Sequence, residues 1–467
     1  MNYSSALHVI NDKMTKNNNF NIGVLGAILS SAFLLIYSFS ISVAFVIVLI
    51  FVGIGIESAS VEQQHRKYCN KLLLITFAVY AISAIIFSTT FEGPRAFVTP
   101  DALQYFSHLK MTSMDLNPLY SIIACYGLMD DGNEMHELFV RYCILFSNNY
   151  LDGASVIYLT MINVLFGVMS IGPVYRILLK VTTSEKAYKY TLAFALLSPF
   201  HFYSVCFVRD IIITFFYAHA IELTFDKFKI RNLLLLLLIV VIVWGIRLYS
   251  GLFVLAFVCY YIFVALSRTK MGKKGTIFLS IVLVSLVVPL VFSTDLYNQS
   301  SDEIESYYDY NHERASTSSL SVKLEKLPPV VREVSLVFFS QIAPFPPHIG
   351  TLDSAESISQ VYVSIVMILF EIYWYFVFFG LIYMLILYKG IKYLSLYEII
   401  FFSIVLLFLY LNTSQVDTRR LMCVYPYICY LYVKLKSNYI AKYSINKMIP
   451  TLSAMYVLLY MAYFVIK

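Results

Sequence analysis

Of the twelve arginines in the 467-residue chain, eight (Arg95, Arg141, Arg209, Arg247, Arg314, Arg332, Arg419 and Arg420) stand apart from the main lysine clusters. A guanidinium offers a planar, always-charged fork that binds phosphate or carboxylate in bidentate fashion, which an ammonium cannot reproduce. Arg209, Arg247, Arg419 and Arg420 fall at tips where two apolar stretches meet, the depth at which a lipid-linked phosphate would lie, and they are the candidate ligands for such an anion. The competing reading is pairing with nearby acids, or snorkelling at the interface. Asp210 adjoins Arg209 in SPFHFYSVCFVRD (198–210). Neighbours in sequence do not share a helix face, so these two are expected to serve different partners, and Asp210 joins the substrate-binding candidates with Arg314 and Asp417. In the same segment Pro199 should kink the preceding span, and His201 reads first as a hydrogen-bonded packing residue.

Proton transfer has three candidates. Asp101 in TPDALQYF either sits in a helix start capped by Thr99 or acts as a general base on an incoming hydroxyl. His312 lies beside Glu313 and Arg314, and His348 follows the turn IAPFPPHIG. An imidazole titrating near neutrality accepts protons readily. Asp417 in NTSQVDTRRL accompanies Arg419 and Arg420, with ordinary turn chemistry as its alternative. Glu371 lies within an apolar run, where an acid is functional by default unless a tyrosine or arginine pairs with it.

The elements that must position these residues are membrane helices. Hydrophobic residues make up 60% of the chain and charged residues 13%, against about 45–50% and 25% in soluble domains, so lipid must solvate much of the surface. Stretches near the length a bilayer requires fall at 22–37, 41–56, 72–89, 156–174, 190–208, 211–224, 232–246, 251–266, 276–293, 361–387, 396–411, 421–433 and 450–466. The first two form either one hairpin or one long helix. The expected fold is all-α: a single transmembrane domain over 1–467, a polytopic helical bundle of about 12–13 spans. With the N-terminus cytoplasmic, 18 of the 22 lysines fall in inner loops while 8 of the 12 arginines fall outside, the pattern that the positive-inside rule gives for lysine alone. Two long periplasmic loops remain, at 90–155 with short interfacial or re-entrant helices, and at 294–360. Loops of such length usually carry function.

No nucleotide-binding glycine pattern or zinc spacing is present, so no cofactor and no metal is expected, and nucleic acid is not an expected partner. The seven cysteines read as small apolar packing residues; Cys125 and Cys143 share one outer segment where a disulfide could form. Without a nucleotide site, chemistry at the outer face needs a preactivated donor, and a polyprenyl-linked sugar fits.

The many short spans, the outer PDALQYF, the SPFHFYS…RD hairpin, the large late loop and the closing DTRR…YP hairpin together resemble bacterial O-antigen polysaccharide polymerases of the Wzy type and, more distantly, the GT-C superfamily of membrane glycosyltransferases. In Wzy-type loops an arginine is often followed eleven residues later by a glycine; here Gly153 follows Arg141 one residue too late. The resemblance implies a bacterial inner-membrane enzyme, a glycosyltransferase that moves a glycan from undecaprenyl pyrophosphate onto the next lipid-linked repeat unit. Its partners would be the undecaprenyl-pyrophosphate-linked oligosaccharide, membrane lipid and a chain-length regulator protein. Arg209, Arg247, Arg419 and Arg420 would hold the pyrophosphate, and Asp101, His312 or His348 would deprotonate the acceptor. The alternatives are a GT-C enzyme using a polyprenyl-phosphate sugar, and a flippase or transporter of lipid-linked oligosaccharide.

Overall fold

The computed structural model describes residues 23–90, 134–267, 327–341, 358–387, 389–412, 418–440 and 447–466. Among them every regular element is helical and none is a strand, as a backbone that must satisfy its own hydrogen bonds in lipid requires. The chain divides into two compact units.

The first unit contains α1 (Gly23–Ser38), α2 (Ile41–Ala59), α3 (Gln63–Thr90), most of α4 (Glu134–Tyr150), α5 (Val156–Leu179), α6 (Ser184–Leu197) and the short α7 (Pro199–Ser204). It also takes the first residues of α8 (Asp210–Thr224) and a later stretch, residues 358–370. The first two expected spans are separate helices. Phe39 adopts a left-handed conformation (φ 45°) that ends α1, and Ser40 then caps α2 by accepting from the Val43 amide. Side-chain contacts fix the helix directions. Gly23 and Gly26 face Ile75 and Ala78 while Tyr37 reaches Ser88, so α1 runs parallel to α3. His65 bonds Ser184 and Tyr80 bonds the Ala195 carbonyl, so α6 does too. Helix α2 runs the opposite way alongside α5, from Ser42 near Asp152 to Glu57 on Arg176. This is the alternation expected from the charge pattern.

The two ends of this unit differ. One gathers Arg66, Lys71, Arg176 and Lys189 with Glu57 and Glu185. The other is a polar knot in which Asp152 accepts from the Ile41 and Ser42 amides (2.9 and 3.0 Å) and from the Ser42 hydroxyl, which also meets Ser147. Lost hydration opposes ionisation there, yet the Ser42 donors, with Ser40 and Ile41, hold the Asp152 carboxyl well below the usual carboxylate range.

The second unit takes the rest of α8, then α9 (Ile230–Ile246), α10 (Leu248–Ser267), α11 (Pro329–Ser340), α12 (Ile358–Ile386) from Glu371 onward, and α13 (Leu396–Asn412). After α14 (Thr418–Leu421), a 3-10 turn leads into α15 (Tyr425–Ile440), and α16 (Met448–Ile466) follows. Helices α9 and α10 form an antiparallel hairpin: the Tyr261 hydroxyl bonds the Lys229 amide and the Lys227 carbonyl (2.9 and 3.0 Å). Glu398 starts α13 in a reciprocal cap with Ser395 and also accepts from Tyr430 and Lys434 of α15. Helices α2, α3, α5, α10 and α12 are long and apolar enough to cross a membrane. The expected ninth span, 276–293, and most of the two long loops lie outside the described residues. Cys143 carries a free thiol.

Candidate functional site

The main departure from the expected helices is in the first unit. Residues 190–208 read as one kinked span, but the structure breaks it. Helix α6 ends at Leu197, Ser198 turns extended and caps α7 with Pro199 in its first turn, and residues 205–209 form no regular helix before α8 begins. Residues 198–208 are nevertheless all buried. Irregular backbone at such depth survives only where protein groups satisfy it, and Asn163 of α5 does so, its Nδ2 donating to the carbonyls of Cys206 and Val208 (2.6 and 2.8 Å). Gly167, one turn on, gives the room: a Cβ there would lie 2.2 Å from Ser204 Oγ.

His201 sits inside this break, stacked on Tyr80 (centroids 5.2 Å, 12° between planes). Its Nδ1 faces the Leu196 carbonyl at 3.1 Å, and its Nε2 faces Ser83 Oγ at 2.8 Å. Ser83 Oγ in turn lies 2.7 Å from the Tyr362 hydroxyl and 2.8 Å from the Val79 carbonyl. The hydrogen-bonded packing expected of His201 is present, together with a polar chain that links three helices.

Arg209 and Asp210 follow directly. Arg209 is half-buried and its carbonyl receives the first amides of α8, whereas Asp210 is buried in the first turn of that helix, where a negative charge suits the helix dipole. The two differ in burial, with Arg209 outside the helix and Asp210 within its first turn. Helix α4 enters the same unit from its polar end. Ser147 meets Ser42, the Cys143 carbonyl accepts from Tyr158, and Phe139 packs on Phe166, ten residues into α5, about 15 Å along the axis. Among the described residues the Arg141 guanidinium on α4 has no hydrogen-bond or ionic partner, and its Nε is buried.

In the second unit, Arg247 is the single residue between α9 and α10. It is 9% exposed, with extended backbone, and its carbonyl accepts from Gly251. Tyr217 donates to the Ser250 carbonyl (2.7 Å), its ring meets Phe408, and both Arg247 and Cys423 lie within its electrostatic reach. Arg419 and Arg420, half-buried in α14, precede Cys423 by three or four residues. The structure therefore brings Arg247 and the Arg419–Arg420 pair to one end of this unit. Lys227, Lys229 and Lys434 lie at the other, with Tyr261 and Glu398. Glu371 of α12 is 4% exposed, and among the described residues neither carboxyl oxygen has a hydrogen-bond partner. Tyr375 follows it by one turn and Tyr456 lies within electrostatic reach.

Asp101, His312, His348, Arg314 and Asp417 lie outside the described residues. Sequence reasoning passed over Asn163, Ser83 and Tyr362; the only signal of each was a polar side chain in an otherwise apolar run. Arg141 was among the eight arginines but not among the four assigned to pyrophosphate. A scan against protein-family models, a search of curated proteins and a search of solved structures each return no match.

Proposed function

We propose that this chain is a glycosyltransferase of the bacterial inner membrane that polymerises lipid-linked oligosaccharide repeat units. It crosses the bilayer about 12–13 times with its N-terminus cytoplasmic, and it works at the periplasmic face. The growing glycan leaves undecaprenyl pyrophosphate and joins a hydroxyl of the next lipid-linked unit, with a chain-length regulator as protein partner. The observation that carries this reading is the segregation of cations in the second unit. Lysines hold one end, and Arg247, Arg419 and Arg420 hold the other, partly or wholly buried at helix breaks. A pyrophosphate leaving group gains most from bidentate guanidinium donors while its charge develops. Arg209, and Arg141 with no partner among the described residues, supply the same chemistry in the first unit.

Deleting the gene tests the reading. The expected result is surface glycan that carries one repeat unit and no longer ladder, restored by the wild-type gene. Arg420→Lys and Arg247→Lys should not restore the ladder although charge is kept, because the fork is lost. An unchanged ladder in the deletion strain rejects the proposal. Loss of a single sugar from an otherwise full-length polymer would instead assign a GT-C enzyme using a polyprenyl-phosphate donor. A flippase or transporter is favoured by one observation, the broken helix inside the first unit, since unwound segments line transporter sites. For that function the deletion would leave no repeat unit at the surface at all.

A further inference from the structure

We propose that Tyr362, Ser83 and His201 form a proton relay that takes the acceptor hydroxyl's proton during glycosyl transfer, a role that rests on the polymerase reading above. Three features of the chain favour a relay over simple packing.

The first is the tautomer. The Leu196 carbonyl can only accept, so the Nδ1 facing it at 3.1 Å carries a hydrogen, and in the neutral ring Nε2 is left as a lone pair. That lone pair points at Ser83 Oγ, 2.8 Å away. The second is direction. If Ser83 donates to Nε2, its oxygen is free to accept from Tyr362, 2.7 Å away. Every hydrogen then points inward toward the imidazole, and Tyr362, the only one of the three that is not fully buried, is left with an oxygen able to receive another. The third is what happens once the imidazole is protonated. Nε2–H then donates to Ser83 Oγ, and the serine hydrogen needs a new acceptor. The Val79 carbonyl, 2.8 Å from the same oxygen, provides it. Both proton positions leave every group hydrogen-bonded, so the proton can arrive without stranding a buried polar atom.

The depth fits the chemistry. Ser83 lies seven residues from the end of α3, about 10 Å along the axis, at the end of the unit where Tyr37 meets Ser88. In the step itself, the acceptor oxygen bonds to the anomeric carbon as the bond from that carbon to the pyrophosphate oxygen breaks, and its electron pair leaves with the lipid pyrophosphate. The acceptor's proton passes to Tyr362 as the tyrosine proton passes to Ser83 and the serine proton to His201, which becomes imidazolium until the proton returns through Ser83 and Tyr362 to water. Tyr362 touches the acceptor; Ser83 and His201 act through it.

The test uses the full-length protein in detergent, with undecaprenyl-pyrophosphate-linked repeat units isolated from cells that lack this chain. Wild type is compared with Tyr362→Phe, Ser83→Ala, His201→Gln and the double variant Tyr362→Phe/His201→Gln, each checked by thermal melting. Each single change should lower kcat about 100-fold or more with KM within about twofold, and the double variant should be no slower than the slower single, because the three act as a unit. Losses that multiply in the double variant, that appear in KM instead, or that are absent overturn the relay while leaving the polymerase reading intact. A wild-type protein that forms no polymer overturns that reading and the relay with it. Tyr362→Phe removes one oxygen and keeps the ring beside Phe87, so it decides the matter if a His201 variant does not fold.

Discussion

Glu57 and Glu371 are both glutamates buried to within 4% of full exclusion from solvent, yet they are treated oppositely. Glu57 lies 2.6 Å from the Arg176 guanidinium, and Gly172 is a glycine because a Cβ there would stand 2.1 Å from its carboxyl oxygen. Glu398 belongs with Glu57, surrounded by Lys434, Tyr430 and Ser395. Glu371 has no donor at either oxygen among the described residues. The acids at the lysine-bearing ends are fastened by the fold; the acid within α12 is tolerated by it. A bundle keeps an acid at a cost in stability only for something other than stability.

This contrast is open to direct attack by measuring thermal unfolding in detergent. The largest effect is expected for Arg176→Ala, which takes the guanidinium away from the buried Glu57 carboxylate and should cost about 3–5 kcal/mol. Adding Glu57→Gln should return much of the loss; if it does not, the ion pair is not what holds α2 to α5. Lys434→Ala should cost less, about 1.5–3 kcal/mol, since Glu398 retains its tyrosine and serine donors. Gly172→Ala should cost about 1–3 kcal/mol by pressing a methyl group against the ion pair. Glu371→Met should cost nothing and should stabilise by up to about 2 kcal/mol, because an unsatisfied polar group is removed; a clear loss would mean that Glu371 has a structural partner after all.

The smallest effect is a pH dependence at Asp152. Its folded-state affinity for protons is depressed, so its contribution is complete above the unfolded carboxylate value of about 3.9 and declines as pH falls through and below it. Asp152→Asn should flatten the acid limb of the stability profile below about pH 4 and leave neutral pH nearly unchanged.

Much of the architecture was legible because lipid imposes simple rules. Long apolar runs gave α2, α3, α5, α10 and α12, and the separation of lysine from arginine anticipated which residues of the second unit share an end. The break at Leu197 was half legible. Pro199 signalled a distortion, but a proline alone reads as a kink, and the residue that lets the backbone leave the helix, Asn163, lies 43 positions from one of the carbonyls it binds. The Ser83–Tyr362 contact spans 279 positions and joins residues of types common in membrane helices. Nothing local in the sequence could connect them.

The break also bears on how the protein is made. With 14 residues, α6 rises about 21 Å, short of the ~30 Å hydrocarbon core, and its continuation exposes carbonyls that no helix of its own can satisfy. During synthesis this segment is a poor independent membrane insert. It becomes stable in lipid once α5, with Asn163 in place, is there to receive it. The order of elements along the chain delivers α5 first, so biogenesis and final structure rely on the same side-chain amide.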